Sequence, residues 1–177
     1  FIQHPVSNWL KTIKKNFKTT LHAIDELNLP TIIIGSNSDP GNLALKLQYL
    51  KFKFSNKKVK YFKNLPEKIF INVIKKSSVL LGNSSMGILE APLVKLPVVN
   101  VGLRQKDRQN AGNILFVTCK KNKIIKAVKQ SLYNKKYQKK IKSLKNPYGA
   151  YDAPKKIVKI LSKISINDKL ISKKITY

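Results

Sequence analysis

The stretch VLLGNSSMGILEAPLVKLPVVNVGLRQKDR, residues 79–108, decides the fold class of this chain. Its first apolar run, Val79–Leu81, ends at Gly82, and its second, Pro97–Val101, ends at Gly102. Between the two runs lie a polar turn and a short apolar segment, and a basic loop follows the second run. This order predicts a strand, a turn, a helix, a second strand and a loop.

The polar turn, Asn83-Ser84-Ser85, is a candidate phosphate-binding site. Each serine offers a hydroxyl and a backbone N–H to phosphate oxygens. The start of a helix carries a partial positive charge that favours an anion. A plain helix cap would use the same residues. Arg104, in the basic loop after the second apolar run, favours the phosphate-binding interpretation.

Glu90 is a candidate ribose ligand. It lies inside the predicted helix among apolar residues, in a chain with 8 acidic residues. A carboxylate that accepts from two vicinal hydroxyls is how dinucleotide-binding folds hold ribose. The alternative is a solvated surface glutamate.

Two further polar segments carry candidate site residues. His4 follows a short apolar start and precedes Pro5. Its imidazole titrates near neutral pH and could donate to a phosphate or to a leaving-group oxygen, although a hydrogen-bonded turn histidine is equally compatible with the sequence. Asn37 and Asp39 lie in a segment whose composition is that of an ordinary turn.

Apolar runs and helical spacing predict the remaining elements. Further strands are predicted at Phe1–Gln3, Thr31–Ile34, Val59–Phe62 and Asn113–Val117. Further helices are predicted over 8–28, 43–54, 64–74, 124–132, 137–144 and 154–164. The second of these helices is marked by Leu43, Leu47, Leu50 and Phe54, and Asp152 is predicted to cap the last helix.

Strands that alternate with helices, each strand a nearly continuous apolar run, predict an α/β fold: a Rossmann-like parallel sheet with helices on both faces. In such open sheets, ligands bind outside the carboxyl ends of the strands. The polar turns that follow the strands should therefore meet at one edge. The candidate residues predicted to converge there are His4, Asn37, Asp39, Asn64, Ser84, Ser85 and Arg104.

The charge of the chain raises nucleic acid as a partner. The 36 Lys+Arg residues against 8 Asp+Glu residues give a net charge of +28. However, the lysines are scattered through nearly every predicted helix, and Arg104 and Arg108 are the only arginines. Readers of nucleic acid favour arginine and interleaved aromatic residues, so we expect no nucleic-acid partner.

Other classes are disfavoured by the same inspection. The single cysteine, Cys119, fits a reducing compartment and a cytoplasmic protein. No apolar run reaches the roughly 18 residues that a membrane span needs, so no membrane partner is expected. Two histidines, one cysteine and scattered acids suggest no metal site or other cofactor. No pair of carboxylates is placed for acid and base catalysis, so a complete enzyme is hard to build from this chain alone.

The start of the sequence suggests that the chain is part of a longer protein. Phe1-Ile2-Gln3 has the composition expected at the end of a buried strand, and the chain does not begin with methionine. We therefore expect one domain over residues 1–165 and a weakly ordered basic tail over 166–177.

Several of these segments together resemble the hydrolysing UDP-N-acetylglucosamine 2-epimerases. The resemblance is carried by GNSSMGILEAP and LPVVNVGLRQKDRQNAGNIL, with support from QHPVS, NSDPGN, NLPEKIF and NPYG. These motifs extend from His4 to about Ile164 and stand in the family's order. The departures are Met86 in the place of a small residue, Val94-Lys95-Leu96 where Phe-Gly-Thr is common, and Ala150-Tyr151 after NPYG.

The resemblance implies a fold and a ligand. The family has two Rossmann-like domains around one active site, as in the GT-B glycosyltransferases, and this chain resembles the C-terminal, nucleotide-binding half. The implied ligand is UDP-N-acetylglucosamine or a related UDP-acetamido sugar, and the full-length protein is expected to be a homo-oligomer. The implied chemistry is elimination of UDP followed by hydration to N-acetylmannosamine, with the acid and base carboxylates largely in the other half.

The resemblance also implies residue roles. Ser84, Ser85 and Arg104 would hold the diphosphate, with Asn83 in the same turn, and Glu90 the ribose hydroxyls. His4 would lie beside the phosphates or the sugar. Asn37 and Asp39 would belong to the substrate site, and the loop at Asn64-Leu65 would face uracil. The alternative is the donor-binding domain of a GT-B glycosyltransferase, which the Arg104-Gln105 loop and the 37–41 turn fit less well.

Overall fold

A computed structural model describes residues 1–6, 10–52, 54–55, 57–149 and 152–172 of the chain, except for the side chains of residues 10 and 11. The chain divides into two compact units, Phe1–Pro147 and Tyr148–Tyr177. The first unit contains the sheet and most of the helices.

In the described part of the first unit, strands and helices alternate up to the fourth strand, which is followed by a fifth strand and then by two helices. Its strands are β1 (Thr31–Ile34), β2 (Val59–Phe62), β3 (Leu80–Gly82), β4 (Val98–Val101) and β5 (Ile114–Val117). Its helices are α1 (Leu10–Leu27), α2 (Asn42–Lys51), α3 (Glu67–Lys76), α4 (Met86–Leu89), α5 (Lys121–Tyr133) and α6 (Lys135–Ser143), and a 3-10 helix covers Ala91–Val94. The second unit contains α7 (Ala153–Leu161) and α8 (Asp168–Ile171).

All the strand pairs are parallel, and the first residues of the chain complete the sheet. β1 pairs with β2, and β4 pairs with both β3 and β5. Ile2 forms parallel bridges to Ile34 of β1 and to Gly82 of β3. The strand order is therefore β2, β1, Ile2, β3, β4, β5, with the start of the chain in the centre.

Helices cover both faces of this sheet, as predicted. On one face, Leu21 of α1, Leu45 of α2 and Ile124 of α5 belong to the buried cluster that contains Leu81 and Val99. Because side chains alternate along a strand, the preceding residues of β3 and β4 point to the opposite face. Each fully buried Leu or Ile contributes about 1.5–3 kcal/mol of hydrophobic stabilisation.

The opposite face has its own core. Leu80 and Val98 there pack in one cluster with Ile2, with Ile74 of α3 and with Met86 of α4. The predicted α/β architecture is therefore confirmed.

Gly82 allows the central strand to reach its position. A Cβ atom on Gly82 would lie 1.8 Å from the carbonyl oxygen of Ile2, and its φ of +134° is a backbone conformation that L side chains rarely adopt. The backbone of Ile2 can therefore lie against β3 only because residue 82 has no side chain. The Asn83 N–H donates to this same Ile2 oxygen at 3.1 Å.

The leucines that mark α2 in the sequence are not the residues that it buries. Leu43, Leu47 and Leu50 are 62%, 44% and 60% exposed, whereas Leu45 is buried. Leucines on several sides of this helix offer more than one apolar stripe. Tyr49, four residues after Leu45, packs against the same core, and its ring stacks on Tyr61 of β2 with centroids 4.2 Å apart.

The helix after the polar turn is shorter than the sequence predicted. α4 ends at Leu89, so Glu90 lies at its C-cap, between α4 and the 3-10 helix, and not inside a longer helix. Pro92 explains the break, because it has no N–H to continue the helix ladder. A four-residue helix has only a small dipole, so it attracts an anion weakly through that term.

The structure bears on two predictions for the C-terminal part. The predicted tail contains a short helix, α8, which begins where the Asn167 side chain accepts from the Leu170 N–H, and the weak order of the tail stays a prediction. Asp152 precedes α7 but makes no capping hydrogen bond; its carboxylate instead pairs with Lys156 at 2.8 Å. The predicted domain limit at residue 165 stays a prediction, while the division into compact units falls at Pro147.

We predict that Gly82→Ala lowers the free energy of unfolding by about 3 kcal/mol or more, because overpacking adds to backbone strain. Chemical denaturation monitored by circular dichroism measures this change. Gly112→Ala is the matched control: its φ is also positive, at +87°, but the nearest atom that its Cβ would meet is a flexible methyl group of Leu144 at 3.7 Å. The control should cost about 1–2 kcal/mol. Equal losses in both variants would show that the close approach of Ile2 is unimportant.

Candidate functional site

The structure brings together several candidate residues at the carboxyl edge of the sheet. The turns after Ile2, β1, β3 and β4 lie at this edge because the strands are parallel. Hydrogen bonds and one ion pair join the following set, which we call the edge cluster: His4, Asn37, Asp39, Asn83 and Arg104.

Asn83 clamps the backbone of His4. The His4 N–H donates to Asn83 Oδ1 at 2.6 Å, and Asn83 Nδ2 donates to the His4 carbonyl at 2.9 Å. The side chain of Asn83 is buried, so these two bonds satisfy an amide that water cannot reach. The geometry makes Asn83 a support for His4, and its predicted contact with a ligand stays a prediction.

The His4 imidazole is held in one orientation. Its Nδ1 accepts from the Asn37 N–H at 3.1 Å, so the proton of the neutral ring lies on Nε2. Burial lowers the pKa of His4, the nearby Arg104 lowers it further, and Asp39 opposes them. The Nε2–H of a neutral ring can donate to an oxygen of a ligand.

Arg104 and its loop converge on the Asn83 carbonyl. Arg104 Nη1 and Gln105 Nε2 both donate to this oxygen at 3.1 Å. Arg108 Nη1 then donates to Gln105 Oε1 at 2.9 Å. Gln105 is buried, and it is not among the site residues predicted from the sequence. The signal that could have found it is its place between two arginines, in a loop that begins where a buried strand ends.

Asp39 connects the turn after β1 to Arg104. Arg104 Nη2 lies 3.8 Å from Asp39 Oδ2, and Asn37 Nδ2 donates to this oxygen at 2.6 Å. The ion pair is partly exposed, so it contributes little to stability. Its consequence is geometric, because it holds the guanidinium beside the turn that carries Asn37.

The two serines follow the edge cluster directly in the chain. Ser84 and Ser85 are half-buried, and Ser84 Oγ accepts weakly from the Met86 N–H at 3.4 Å. They precede α4, whose small dipole does not make an anion site by itself. Any grip on an anion must come from the hydroxyls, from backbone N–H groups and from Arg104, which is anchored to the residue before Ser84.

Glu90 lies beyond the other end of α4. The residue is exposed overall, yet partial burial of its carboxyl group raises its pKa. An ionised carboxylate that has lost part of its hydration gains more from a hydrogen-bond donor than a fully hydrated one does. The site prediction for Glu90 is compatible with this setting.

Asn64 and Leu65 lie on the loop between β2 and α3, at the predicted edge. Asn64 is exposed and Leu65 is half-buried. Within the described residues, no hydrogen bond joins this loop to the edge cluster. Its predicted role towards a base stays a prediction.

A cavity of about 240 Å³ lies beside the edge cluster and is lined by residues that include His4, Asn83, Leu103 and Cys119. Burial raises the pKa of the Cys119 thiol, which donates to the Asn16 carbonyl at 3.1 Å, so it is a poor nucleophile. A larger, mostly apolar cavity of about 740 Å³ lies at the amino ends of β1 and β3, away from the edge cluster.

The positive charge is spread over the surface. Every lysine whose side chain the structure describes is exposed. In the described part of the chain, no three His, Cys, Asp or Glu side chains group in a way that could hold a metal ion. Over the same residues, no helix has both the length and the apolar character to cross a membrane.

Residues 1–162 match the family model described as UDP-N-acetylglucosamine 2-epimerase. A Legionella pneumophila protein named UDP-N,N'-diacetylbacillosamine 2-epimerase (hydrolyzing) is 32% identical over 172 residues, which are 97% of this chain and 44% of that protein. A Campylobacter jejuni protein named GDP/UDP-N,N'-diacetylbacillosamine 2-epimerase (hydrolyzing) is 36% identical over 115 residues, 63% of this chain and 30% of that one. The chain thus spans less than half the length of these relatives.

Solved structures share the fold. The Neisseria meningitidis UDP-GlcNAc 2-epimerase bound to UDP-GlcNAc superimposes with a TM-score of 0.70 at 23% identity, over 92% of this chain and 44% of that one. A UDP complex from S. aureus gives a TM-score of 0.68 at 22% identity, over 91% of this chain and 43% of that one. At these identities, the similarity establishes the architecture alone.

We predict that the free energy of unfolding falls as the pH is lowered through about 6.5, the ordinary pKa of histidine. The pKa of His4 is lowered in the folded protein, so the unfolded chain binds the proton more readily. Acid therefore stabilises the unfolded state relative to the folded state. Denaturation midpoints between pH 7.5 and 5 measure this dependence, and part of it should disappear in His4→Gln. His22→Gln, which changes the exposed histidine of α1, is the control. A pH dependence that is unchanged in His4→Gln would contradict this account.

Proposed function

Because this chain belongs to the UDP-N-acetylglucosamine 2-epimerase family, we propose that it is the nucleotide-sugar-binding half of a hydrolysing enzyme of that family. The proposed substrate is UDP-N-acetylglucosamine or a related UDP-acetamido sugar. The proposed products are UDP and an N-acetylmannosamine-type sugar. The observation that carries the proposal is the edge cluster, which joins a neutral histidine and an anchored arginine at the ligand edge of a parallel sheet.

The diphosphate is assigned to the two serines and Arg104. Arginine suits phosphate geometry, and Ser84 and Ser85 can donate from their hydroxyls. Arg104 uses Nη1 on the Asn83 carbonyl and lies near Asp39 through Nη2. These contacts hold the guanidinium next to the serine turn before any ligand arrives, which reduces the entropy lost on binding.

The ribose is assigned to Glu90. Its carboxylate would accept from the vicinal hydroxyls, as acidic residues do in other Rossmann-like folds. The hydroxyl donors would replace hydration that partial burial has already removed from this carboxylate. The uracil is assigned to the loop at Asn64 and Leu65, which follows β2 at the same edge.

His4 is assigned to the leaving group. In the elimination step a base removes the proton on C2 of the sugar, the C1–O bond breaks and UDP departs with the electron pair of that bond. The Nε2–H of neutral His4 would donate to an oxygen of the departing diphosphate and stabilise its charge. Water then adds across the C1=C2 double bond of the intermediate, with oxygen at C1 and hydrogen at C2, and gives the inverted C2 centre.

The proton chemistry at C2 is assigned to groups outside this chain. Asp39 is the described carboxylate within the edge cluster, and it is occupied by Asn37 and Arg104. Glu90 is assigned to the ribose. The naming of relatives as hydrolysing enzymes supports the reaction type, while the share of those relatives that the chain spans leaves room for a second set of catalytic groups.

We predict that UDP protects the chain against thermal unfolding, because a ligand that binds the folded state at 100 times its Kd stabilises it by about 2.7 kcal/mol. Glu90→Gln and Arg104→Ala should each weaken UDP binding about 10- to 100-fold, the cost of a lost hydrogen bond to a charged group. Isothermal titration calorimetry measures the affinities, and Lys106→Ala, in the same loop as Arg104, is the control. Equal UDP affinity in all four proteins would contradict the assignment.

Glu90→Gln has a second expected effect. The raised pKa means that folding disfavours the ionised carboxylate, so this carboxylate lowers stability at neutral pH. The glutamine variant without ligand should therefore be at least as stable as the original chain at pH 7, although it binds UDP less well. A large loss of stability would mean that its weaker binding reports misfolding.

We also predict that the chain binds UDP-N-acetylglucosamine but does not release UDP from it, because the proposed base for C2 is absent. A coupled assay for free UDP over several hours tests this prediction. A longer protein that carries this chain together with the remainder of an epimerase is the positive control. Measurable turnover by the chain alone would contradict the assignment of the base.

A further inference from the structure

The segment that carries Glu90 is held by side chains from elsewhere in the first unit. It consists of α4, the 3-10 helix and the residues up to Leu96. A helix of four residues leaves carbonyl groups without intrahelical donors, and Pro92 removes one of the N–H groups that could have served. Partners for these carbonyls can come from side chains outside the segment or from water.

Two asparagines supply them. Asn113, which is fully buried, donates from Nδ2 to the carbonyls of Gly87 and Leu96, each at 3.2 Å. Asn146 donates from Nδ2 to the Leu89 carbonyl at 2.9 Å.

A third contact joins the loop of Asn146 to the same segment. Lys95, at the end of the 3-10 helix, donates from Nζ to the carbonyl of Leu144. The loop 144–146 is therefore attached to the segment at two points, one on each side of the 3-10 helix.

We propose that Asn146 is a positioning residue for Glu90, so that it controls how well the site distinguishes a ribose from a sugar without its 2′- and 3′-hydroxyls. This role rests on the proposed function. The carbonyl of Leu89 belongs to the same peptide unit as the nitrogen of Glu90, so a donor on this oxygen fixes the plane from which the Glu90 side chain departs.

The serine turn is anchored independently. It follows Asn83, whose backbone is tied to Ile2 and whose carbonyl accepts from Arg104. Loss of the Asn146 amide should therefore disturb the ribose end of the site and leave the diphosphate end in place. A selective effect on the ribose end therefore distinguishes the positioning role from a general loss of stability, which would weaken binding at both ends.

The experiment compares the Kd of UDP with that of 2′,3′-dideoxy-UDP, measured by calorimetry. The Kd of dideoxy-UDP divided by the Kd of UDP, called the ratio below, reports the contribution of the ribose hydroxyls. In the original chain, dideoxy-UDP should bind about 10- to 100-fold more weakly than UDP. In Asn146→Ala the ratio should fall towards that of Glu90→Gln, while the Kd of dideoxy-UDP changes by less than about threefold. In the double variant, the ratio should be no lower than in Glu90→Gln, because both changes remove the same contribution.

Two further variants keep the result interpretable. Asn146→Asp preserves size but removes the N–H donor, and it should reproduce the effect if Asn146→Ala folds poorly. Asn134→Ala is the control, because Asn134 caps α6 in the same unit by accepting from the Tyr137 N–H at 2.8 Å. It should lower stability without changing the ratio.

The outcomes separate the role from the proposed function. An unchanged ratio in both Asn146 variants, with UDP binding intact, would overturn the positioning role alone. An equal loss of affinity for both ligands would also overturn it, because that result indicates a general structural defect. No UDP binding by the original chain would overturn the proposed function and, with it, this role.

Discussion

The close approach of the Ile2 backbone to Gly82 is the contact on which the rest of the structure depends. A Cβ atom at residue 82 would lie 1.8 Å from the Ile2 oxygen, so the contact exists only because that residue is glycine. It inserts the start of the chain between β1 and β3, which otherwise belong to separate two- and three-stranded groups. The same approach places the end of this central strand beside Asn83. The fold and the candidate site therefore share one constraint on the backbone.

Asn83 links this backbone contact to the side chains of the candidate site. Its N–H, its carbonyl and both polar atoms of its side chain are all used: on Ile2, on the arginine loop and on His4. A buried amide with every group paired costs little to bury, whereas one unpaired group would cost about 1–3 kcal/mol. The network is therefore cooperative, because a change in any of the three segments leaves a polar atom of the others without its partner. The position of His4 relative to Arg104 is correspondingly fixed.

The sequence predicted the architecture well because the strands are short apolar runs bounded by Gly, Pro and small polar residues. It also predicted that the turns after these strands meet at one edge, since parallel strands leave no other arrangement. It failed where the outcome depends on tertiary contacts. The buried face of α2 contains Leu45 and Tyr49, four residues apart, but the exposed leucines of the same helix offered a competing apolar stripe, and the stacking of Tyr49 on Tyr61 is a tertiary contact that the sequence does not show. The early end of α4 was readable from Pro92. The position of Gln105 between two arginines marks it as a candidate, but the sequence does not show that its Nε2 donates to the backbone carbonyl of Asn83.

The electrostatics of the site favour one kind of ligand. His4 has a lowered pKa and Glu90 a raised one, so burial holds both groups nearer to neutrality than water would. Each group would gain from a complementary partner: an oxygen for the imidazole N–H, and hydroxyl donors for the carboxylate. Arg104 adds a fixed positive charge near His4, and α4 is too short to add much more through its dipole. If UDP binds as proposed, its diphosphate oxygens would meet Arg104 and His4 and its ribose hydroxyls would meet Glu90, whereas a simple anion would engage only the part of the proposed site around Arg104 and His4.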